Sequence, residues 1–373
     1  MKKIRCVVVT NVPAPYRVPV WDRLADLEQI ELHVVYCAPA HIDPTLKGFS
    51  QKYGVHFLKG KYKDYEAGFM HMDFSVVKLL SSLKPDVVVT TGFIPTYLYA
   101  FGWAVLKGVP HVAMTDGTPE AERPLTIVHR LVRKVVFSLS KSFVGACWLS
   151  RDLFMAYGVP RDRIHLSPLC DNNELFASGV ASTSYDFVFC GQFVERKNPL
   201  FAIRVADGVA RRLGRTVSIR FLGKGPMEDE IRQEALLTEG RVDLSFAGYL
   251  LQKDMPAEYA ASRVFLFPTR MDCWGVVINE ACAAGVPCVV SPHTGVANEL
   301  VVEGENGHVC ELDLAMWVER SVRLLTDEAL WQRFSSASRE KVKGYSFEVA
   351  AQGIRDAAVQ ATAGKKIVLG MVN

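Results

Sequence analysis

"VVVTTGFIPTYLYAFGWAVL", residues 87–106, runs for twenty residues without a charged side chain. That length is enough for a helix to cross a bilayer. Gly92 and Pro95 argue against one continuous helix. They divide the run into a β-branched piece, VVVTT, and a helix-compatible piece, PTYLYAFGWAVL. A buried strand, a turn and a buried helix fit this better, and that reading decides the fold class.

The same alternation extends in both directions. In the first half, strand-like runs occur at 4–10, 31–36, 86–91, 110–115 and 141–146. In the second half they occur at 186–191, 217–223, 242–248, 263–268 and 287–291. Continuous β-branched runs separated by helical segments indicate parallel sheets covered on both faces. The polar stretch DNNELFASGVASTSYD, residues 171–186, separates the two series as a linker. The expectation is an α/β protein of two doubly wound, Rossmann-like parallel-sheet domains facing across a cleft. Their bounds are expected at 1–175 and 186–345, with a C-terminal helix in 346–373 crossing back to the first domain. A chain of 373 residues suits two such domains.

Composition narrows the functions. The net charge of +3 implies no nucleic-acid partner. Residues 1–185 carry 21 Lys and Arg against 16 Asp and Glu, so the first half is the basic one. Nine cysteines are scattered with no C-x-x-C pair, which argues against zinc and against a disulfide framework. Buried thiols in a reducing cytoplasm are expected. The apolar run from Cys6 to Val9 is too short for a signal peptide.

In doubly wound sheets, ligands bind outside the carboxyl ends of the strands. After RVFLFP comes the loop TRMDCWG and then VVINEACAAGVP, a helix closed by Gly285 and Pro287. Gly275 permits a close backbone approach to a ligand. The helix N-terminus that follows suits a phosphate. Asp272 and Glu280 are separated by seven residues. This spacing fits a nucleotide sugar, with Glu280 near the ribose diol and Asp272 at the other end. A helix whose acidic residues merely complement its dipole is the plainer alternative.

GQFVERKNP, residues 191–199, follows the strand DFVFC and brings Arg196 and Lys197 to a strand end. These cations could neutralise a diphosphate, or could be a solvated turn. LGKGPMEDEI, residues 222–231, has G-x-G at Gly223 but Glu228 at the third glycine position. It supports a tight strand-to-helix turn rather than a dinucleotide site. No D-x-D pair occurs in the chain. Diphosphate neutralisation therefore falls to Lys, Arg and helix ends, with no metal and no cofactor required.

With these segments in order, the chain resembles glycosyltransferase family 4, which has the GT-B fold. Six segments carry the resemblance. They are PTRMDCWGVVINEACAAGVP, GQFVERKNP, LGKGPMEDEI, FAGYL (246–250), SRDLFMAYGVPRDRIHLSPLCDNNELF (150–176) and TGVANELVVEGENGHV (294–309). The resemblance implies a donor site in the second domain, formed by Gln192, Gly223, Tyr249, Gly275, Val276, Val277 and Glu280. Glu280 matches the ribose-binding Glu, and Lys197 the diphosphate-binding Lys. It implies transfer with retention of configuration, with Asp116, Arg196, Lys197 and Asp272 as the catalytic set.

Three departures stand out. Asp272 replaces the first signature Glu. Gln192 replaces an Arg, which Arg196 would compensate. NVPAPYRVP, residues 11–19, replaces a Gly-Gly loop and puts Tyr16 and Arg17 on the acceptor side. Asp116, after the strand PHVAMT, would orient the acceptor hydroxyl or cap the next turn.

The expected function is a hexosyltransferase moving sugar from a nucleotide-diphosphate sugar to a glycan or lipid-linked acceptor in polysaccharide or lipopolysaccharide synthesis. A catalytically impaired sugar-nucleotide-binding protein and a GT-B nucleotide-sugar epimerase are the alternatives. Residues 123–151 hold six basic and no acidic side chains. Within them Val128, Leu131, Val132, Val135 and Leu139 recur at helical spacing. Peripheral membrane contact through 123–143, at the cytoplasmic face of the inner membrane, is one reading. Docking of the stripe on the first domain's own sheet is the other.

Overall fold

The computed structural model describes residues 3–37, 52–60, 62–65, 68–179 and 184–363. Residues 180–183 of the expected linker and 364–373 of the C-terminal segment lie outside the described residues. The chain divides into two units. One holds residues up to Leu169 and the segment from Phe347 onward, and the other holds Cys170–Ser346.

The first unit contains strands β1 (Ile4–Thr10), β2 (Ile30–Tyr36) and β3 (Gly54–Phe57), then a hairpin of β4 (Tyr62–Tyr65) and β5 (Gly68–His71). It continues with β6 (Val87–Thr90), β7 (His111–Thr115), β8 (Ser142–Gly145) and β9 (Ile164–Leu166). Its helices are α1 (Val18–Asp26), α2 (Ser75–Leu83), α3 (Pro95–Leu106), α4 (Ile127–Leu139) and α5 (Trp148–Ala156). The sheet order is β3-β2-β1-β6-β7-β8-β9, and every pair is parallel. The uncharged twenty-residue run becomes β6, a turn and α3. All four β6 residues are buried, as are Ala100, Phe101 and Ala104 of α3. No helix among the described residues is long and apolar enough to cross a membrane.

The second unit opens with α6 (Asn173–Ala177) and β10 (Tyr185–Cys190). There follow α7 (Pro199–Leu213), β11 (Val217–Leu222), α8 (Glu228–Leu236), β12 (Val242–Gly248), α9 (Met255–Ala260) and β13 (Ser262–Phe267). It closes with α10 (Val276–Ala284), β14 (Cys288–Val290), β15 (Gly307–Val309), α11 (Leu314–Thr326) and α12 (Glu328–Val342). Its sheet order is β12-β11-β10-β13-β14-β15, again all parallel. The core pairs Phe187, Phe189, Ile219 and Phe221 of the sheet with Ile203, Val205 and Ala206 of α7. A final helix, α13 (Phe347–Ala363), belongs to the first unit and packs on α1, β8 and β9.

All ten strands expected from the sequence are present. The short β3, β9 and β15 and the hairpin carry too few apolar residues to stand out. The boundary between units falls between Leu169 and Cys170 rather than at residue 175. The reason is that α6 packs on α9 and α10, and the Asn173 side chain donates to the Val342 and Tyr345 carbonyls, both at 3.1 Å. Eight of the nine cysteines are buried, and none is bonded to another.

Candidate functional site

Each sheet has a point where the chain reverses its order of strand addition. In such sheets a ligand crevice opens there, outside the carboxyl ends of the strands. In the second unit the point lies between β10 and β13. The segment GQFVERK leaves β10, and the loop PTRMDCWG leaves β13. They meet directly: the Arg270 N–H donates to the Arg196 carbonyl at 2.7 Å, and the Thr269 hydroxyl donates to the same oxygen at 3.0 Å. Segments more than 70 positions apart are thereby joined, and Lys197 forms an ion pair with Asp272, 75 positions on.

The ammonium of Lys197 lies 5.0 Å from the centre of the Phe267 ring. Both members of the pair are largely screened from water, at 12% and 18% side-chain exposure. Partial burial strengthens their attraction relative to a surface pair. A Lys ammonium has three N–H donors. Lys197 can therefore keep Asp272 and still donate to a phosphate oxygen.

Immediately beyond this pair, α10 begins. Its cap residue Gly275 has φ 115°, and a Cβ there would lie 2.9 Å from the Phe267 ring. Only glycine lets the chain turn here against the aromatic side chain. The first-turn amides, including those of Val276 and Val277, have no partners within the helix. Along with the helix dipole they form an anion-binding end. The loop before it is held by neighbours. Trp274 is 1% exposed, its indole N–H donates to Asn279 Oδ1 at 2.7 Å, and its ring packs on Tyr345. The Asp272 N–H donates to the His293 carbonyl at 2.9 Å, and the Thr294 hydroxyl donates to the Trp274 carbonyl.

The remaining donor candidates surround this junction. Gly223, at φ 129°, follows β11, and a Cβ there would stand 2.1 Å from the Gly191 carbonyl oxygen. Gln192 and Tyr249 are exposed after β10 and β12. The Arg196 side chain is exposed as well, with its backbone pinned by the loop from β13.

Glu280 is more enclosed than its spacing suggests, at 9% exposure. The Tyr259 hydroxyl donates to its Oε2 at 2.6 Å, and the Asp171 carboxyl is its other partner. Burial, and then the Asp171 charge, hold the Glu280 carboxyl well above the usual carboxylate range. Asp171 is raised too, chiefly by burial. Tyr259, Asp171 and Gln252 were not legible as site residues. Asp171 and Glu280 are 109 positions apart, and only the packing of α6 on α10 unites them.

In the first unit the reversal lies between β1 and β6. A pocket of about 460 Å³ opens there, lined by Asn11, Tyr16, Arg17, Thr91, Tyr97 and Asp116 among others. The structure thus brings Tyr16, Arg17 and Asp116 to one pocket. The Arg17 guanidinium donates to the Ser167 hydroxyl at 3.3 Å. Asp116 is exposed.

On the same unit, α4 divides its apolar residues. Val136 and Phe137 are buried, and Val132 packs beside them. Val128, Leu131, Val135 and Leu139 remain exposed, by 67%, 55%, 53% and 47%, as does Ile127. Docking on the unit's own sheet therefore accounts for one side of the helix only. Of the flanking cations, Arg133 turns inward to Glu122 at 2.6 Å, while Arg130, Lys134 and Lys141 stay exposed.

Two doubly wound parallel units, with basic and glycine-rich strand ends, define the GT-B class of fold. Residues 171–341, most of the second unit, match the family profile of glycosyl transferases group 1. The sulfoquinovosyl transferase SQD2 of Arabidopsis thaliana is 29% identical over 164 residues, 42% of this chain and 31% of that protein. The phosphatidyl-myo-inositol mannosyltransferase of Mycobacterium leprae is 30% identical over 185 residues, 48% of each chain. The chain thus spans half or less of these curated relatives. Among solved structures, Anabaena Alr3699/HepE in complex with UDP superposes with a TM-score of 0.70 at 15% identity, covering 99% of this chain and 100% of that one.

Proposed function

We propose that the protein transfers a sugar from a nucleoside-diphosphate sugar to a hydroxyl of a glycan or lipid-linked acceptor, with retention at the anomeric carbon. The observation that carries this reading is the junction of Lys197, Asp272 and the α10 N-terminus at the reversal point of the second sheet. A diphosphate would lie against the α10 amides and Lys197, with Arg196 free to approach from its exposed position. The bond from the anomeric carbon to the diphosphate breaks, and a bond to the acceptor oxygen forms on the same face. The acceptor's proton leaves with the diphosphate. Fixed cations and amides stabilise the negative charge that grows on the leaving group. On this reading no metal is needed to hold the diphosphate. Asp272 would contact the transferred sugar, and the pocket holding Tyr16, Arg17 and Asp116 would take the acceptor.

A thermal-shift screen of nucleotide sugars tests the donor assignment, because a ligand that binds the folded state raises its melting temperature by mass action. Transfer to an acceptor supports the reading. Donor turnover without acceptor would indicate an epimerase, and binding without turnover an impaired binding protein. Asp272→Glu lengthens the carboxylate by one methylene. The expected result is a changed ratio of kcat/KM between donors that differ in their sugar. An equal loss for every donor would remove Asp272 from the sugar contact.

Membrane association at the cytoplasmic face of the inner membrane fits the exposed apolar row of α4 beside Arg130, Lys134 and Lys141. A lipid acceptor, as the name of the M. leprae relative suggests for that protein, would place substrate at the same surface. The expected result is co-sedimentation with anionic vesicles at low salt, reduced at least tenfold by Leu131→Asp, since a buried apolar side chain contributes about 1.5–3 kcal/mol. Binding that ignores both salt and this substitution would refute the α4 surface.

A further inference from the structure

We propose that Asp171 is a positioning residue for Glu280, and that the two carboxyl groups hold one proton between them, on Glu280, which leaves when a ribose diol binds. This rests on the donor reading given above.

Both groups are buried, at 6% and 9% exposure. Among the described residues, no Lys, Arg or His forms an ion pair with either. Two uncompensated carboxylates in one apolar site cannot both ionise without a large cost. The donors around them decide which one keeps the charge. Asp171 accepts from the Asn172 N–H at 2.7 Å and from the Gln252 amide. Among the described residues, Glu280 accepts from Tyr259 alone. Asp171, with the more donors, carries the charge, and Glu280 carries the proton and donates it to Asp171. The pair titrates as a unit.

The neighbouring groups on the elements packed around the pair keep one charge state near neutral pH. From α9, the Tyr259 phenol is pushed well up by burial. From β10, burial raises the Cys190 thiol to about 12. From β14, burial pushes the Cys288 thiol well up, beside Cys282. The Arg339 guanidinium of α12 is spent on the Ala283 and Ala284 carbonyls at the far end of α10. Gln252 is neutral.

A diol donates two hydrogen bonds, and an ionised carboxylate accepts both. Binding therefore favours loss of the Glu280 proton. Nucleotide affinity should rise with pH until the pair loses its proton without ligand. Asp171→Asn removes the neighbouring charge and lowers the Glu280 pKa while its burial remains, and so weakens the coupling of binding to the proton.

The test is isothermal titration of the full chain with UDP and with GDP, in two buffers of different ionisation enthalpy. The expected result at neutral pH is release of about one proton per nucleotide bound, with affinity rising up to about tenfold per pH unit. Asp171→Asn should bind with measurably less proton release than the native protein, and the native protein should release close to none with the 2′,3′-dideoxy nucleotide. Tyr259→Phe should weaken binding yet keep the release, which a merely structural role would not predict. Binding to the native protein without proton release overturns the proposal, whether or not Asp171→Asn folds. Equal release by the native protein and Asp171→Asn also overturns it. If neither nucleotide binds, the donor reading itself fails, and this inference with it.

Discussion

Replacing Lys197 by Ala should lower kcat by a factor of about 10²–10³, the loss seen when one preorganised donor to a developing anion is removed, roughly 2.7–4 kcal/mol. Two effects combine in the same direction. On the proposed donor reading the leaving diphosphate would lose a cation, and Asp272 is left as a partly buried carboxylate without its ion partner. Steady-state kinetics checks this, with KM reported separately. Lys197→Arg keeps the charge but cannot place it as a compact ammonium over Phe267, so partial activity is expected. A Lys197→Ala enzyme that turns over within tenfold of the native rate would remove Lys197 from the donor site.

Replacing Trp274 by Ala should cost about 3–5 kcal/mol of stability, as for other buried aromatic truncations. The indole is enclosed, packs on Tyr345, and satisfies the buried Asn279 carbonyl oxygen. Thermal unfolding should fall by on the order of 10 °C for a unit of this size. Trp274→Phe keeps the packing but leaves Asn279 Oδ1 without its donor, so a loss of about 1–3 kcal/mol is expected. Melting curves of both variants check the order. The consequence extends to chemistry, because Trp274 fixes the loop between Asp272 and the start of α10. Well-folded Trp274→Ala with native kinetics would show that this loop does not need its anchor.

The legible parts of the fold were those with strong periodic signals. β1, β6, β10 and β13 each contain a continuous apolar run because both faces of their sheets are covered. The junction at Gly275 was legible as well, since a glycine, a small-residue helix and a closing Gly-Pro pair mark it locally. Strand ends at a reversal point are also where chemistry is expected, so Lys197 and Asp272 could be nominated before their contact was seen. The α4 stripe was legible as amphipathic, but periodicity does not say what covers an apolar face. Packing shows Val136 and Phe137 turned inward and Leu131 and Val135 turned out.

The sequence by itself determined the two α/β series, their order, the glycine-capped α10 and the residue types available for binding a diphosphate. These follow from hydrophobic period and backbone stereochemistry, which act over a few residues. The tertiary structure alone decided that Lys197 is paired with Asp272. It also decided that Glu280 is shut away beside Asp171 under Tyr259, and that unit division falls before α6. Those outcomes depend on which side chains, far apart in the chain, are desolvated together. The free energy of a charge is set by that surrounding, so no local pattern can encode it.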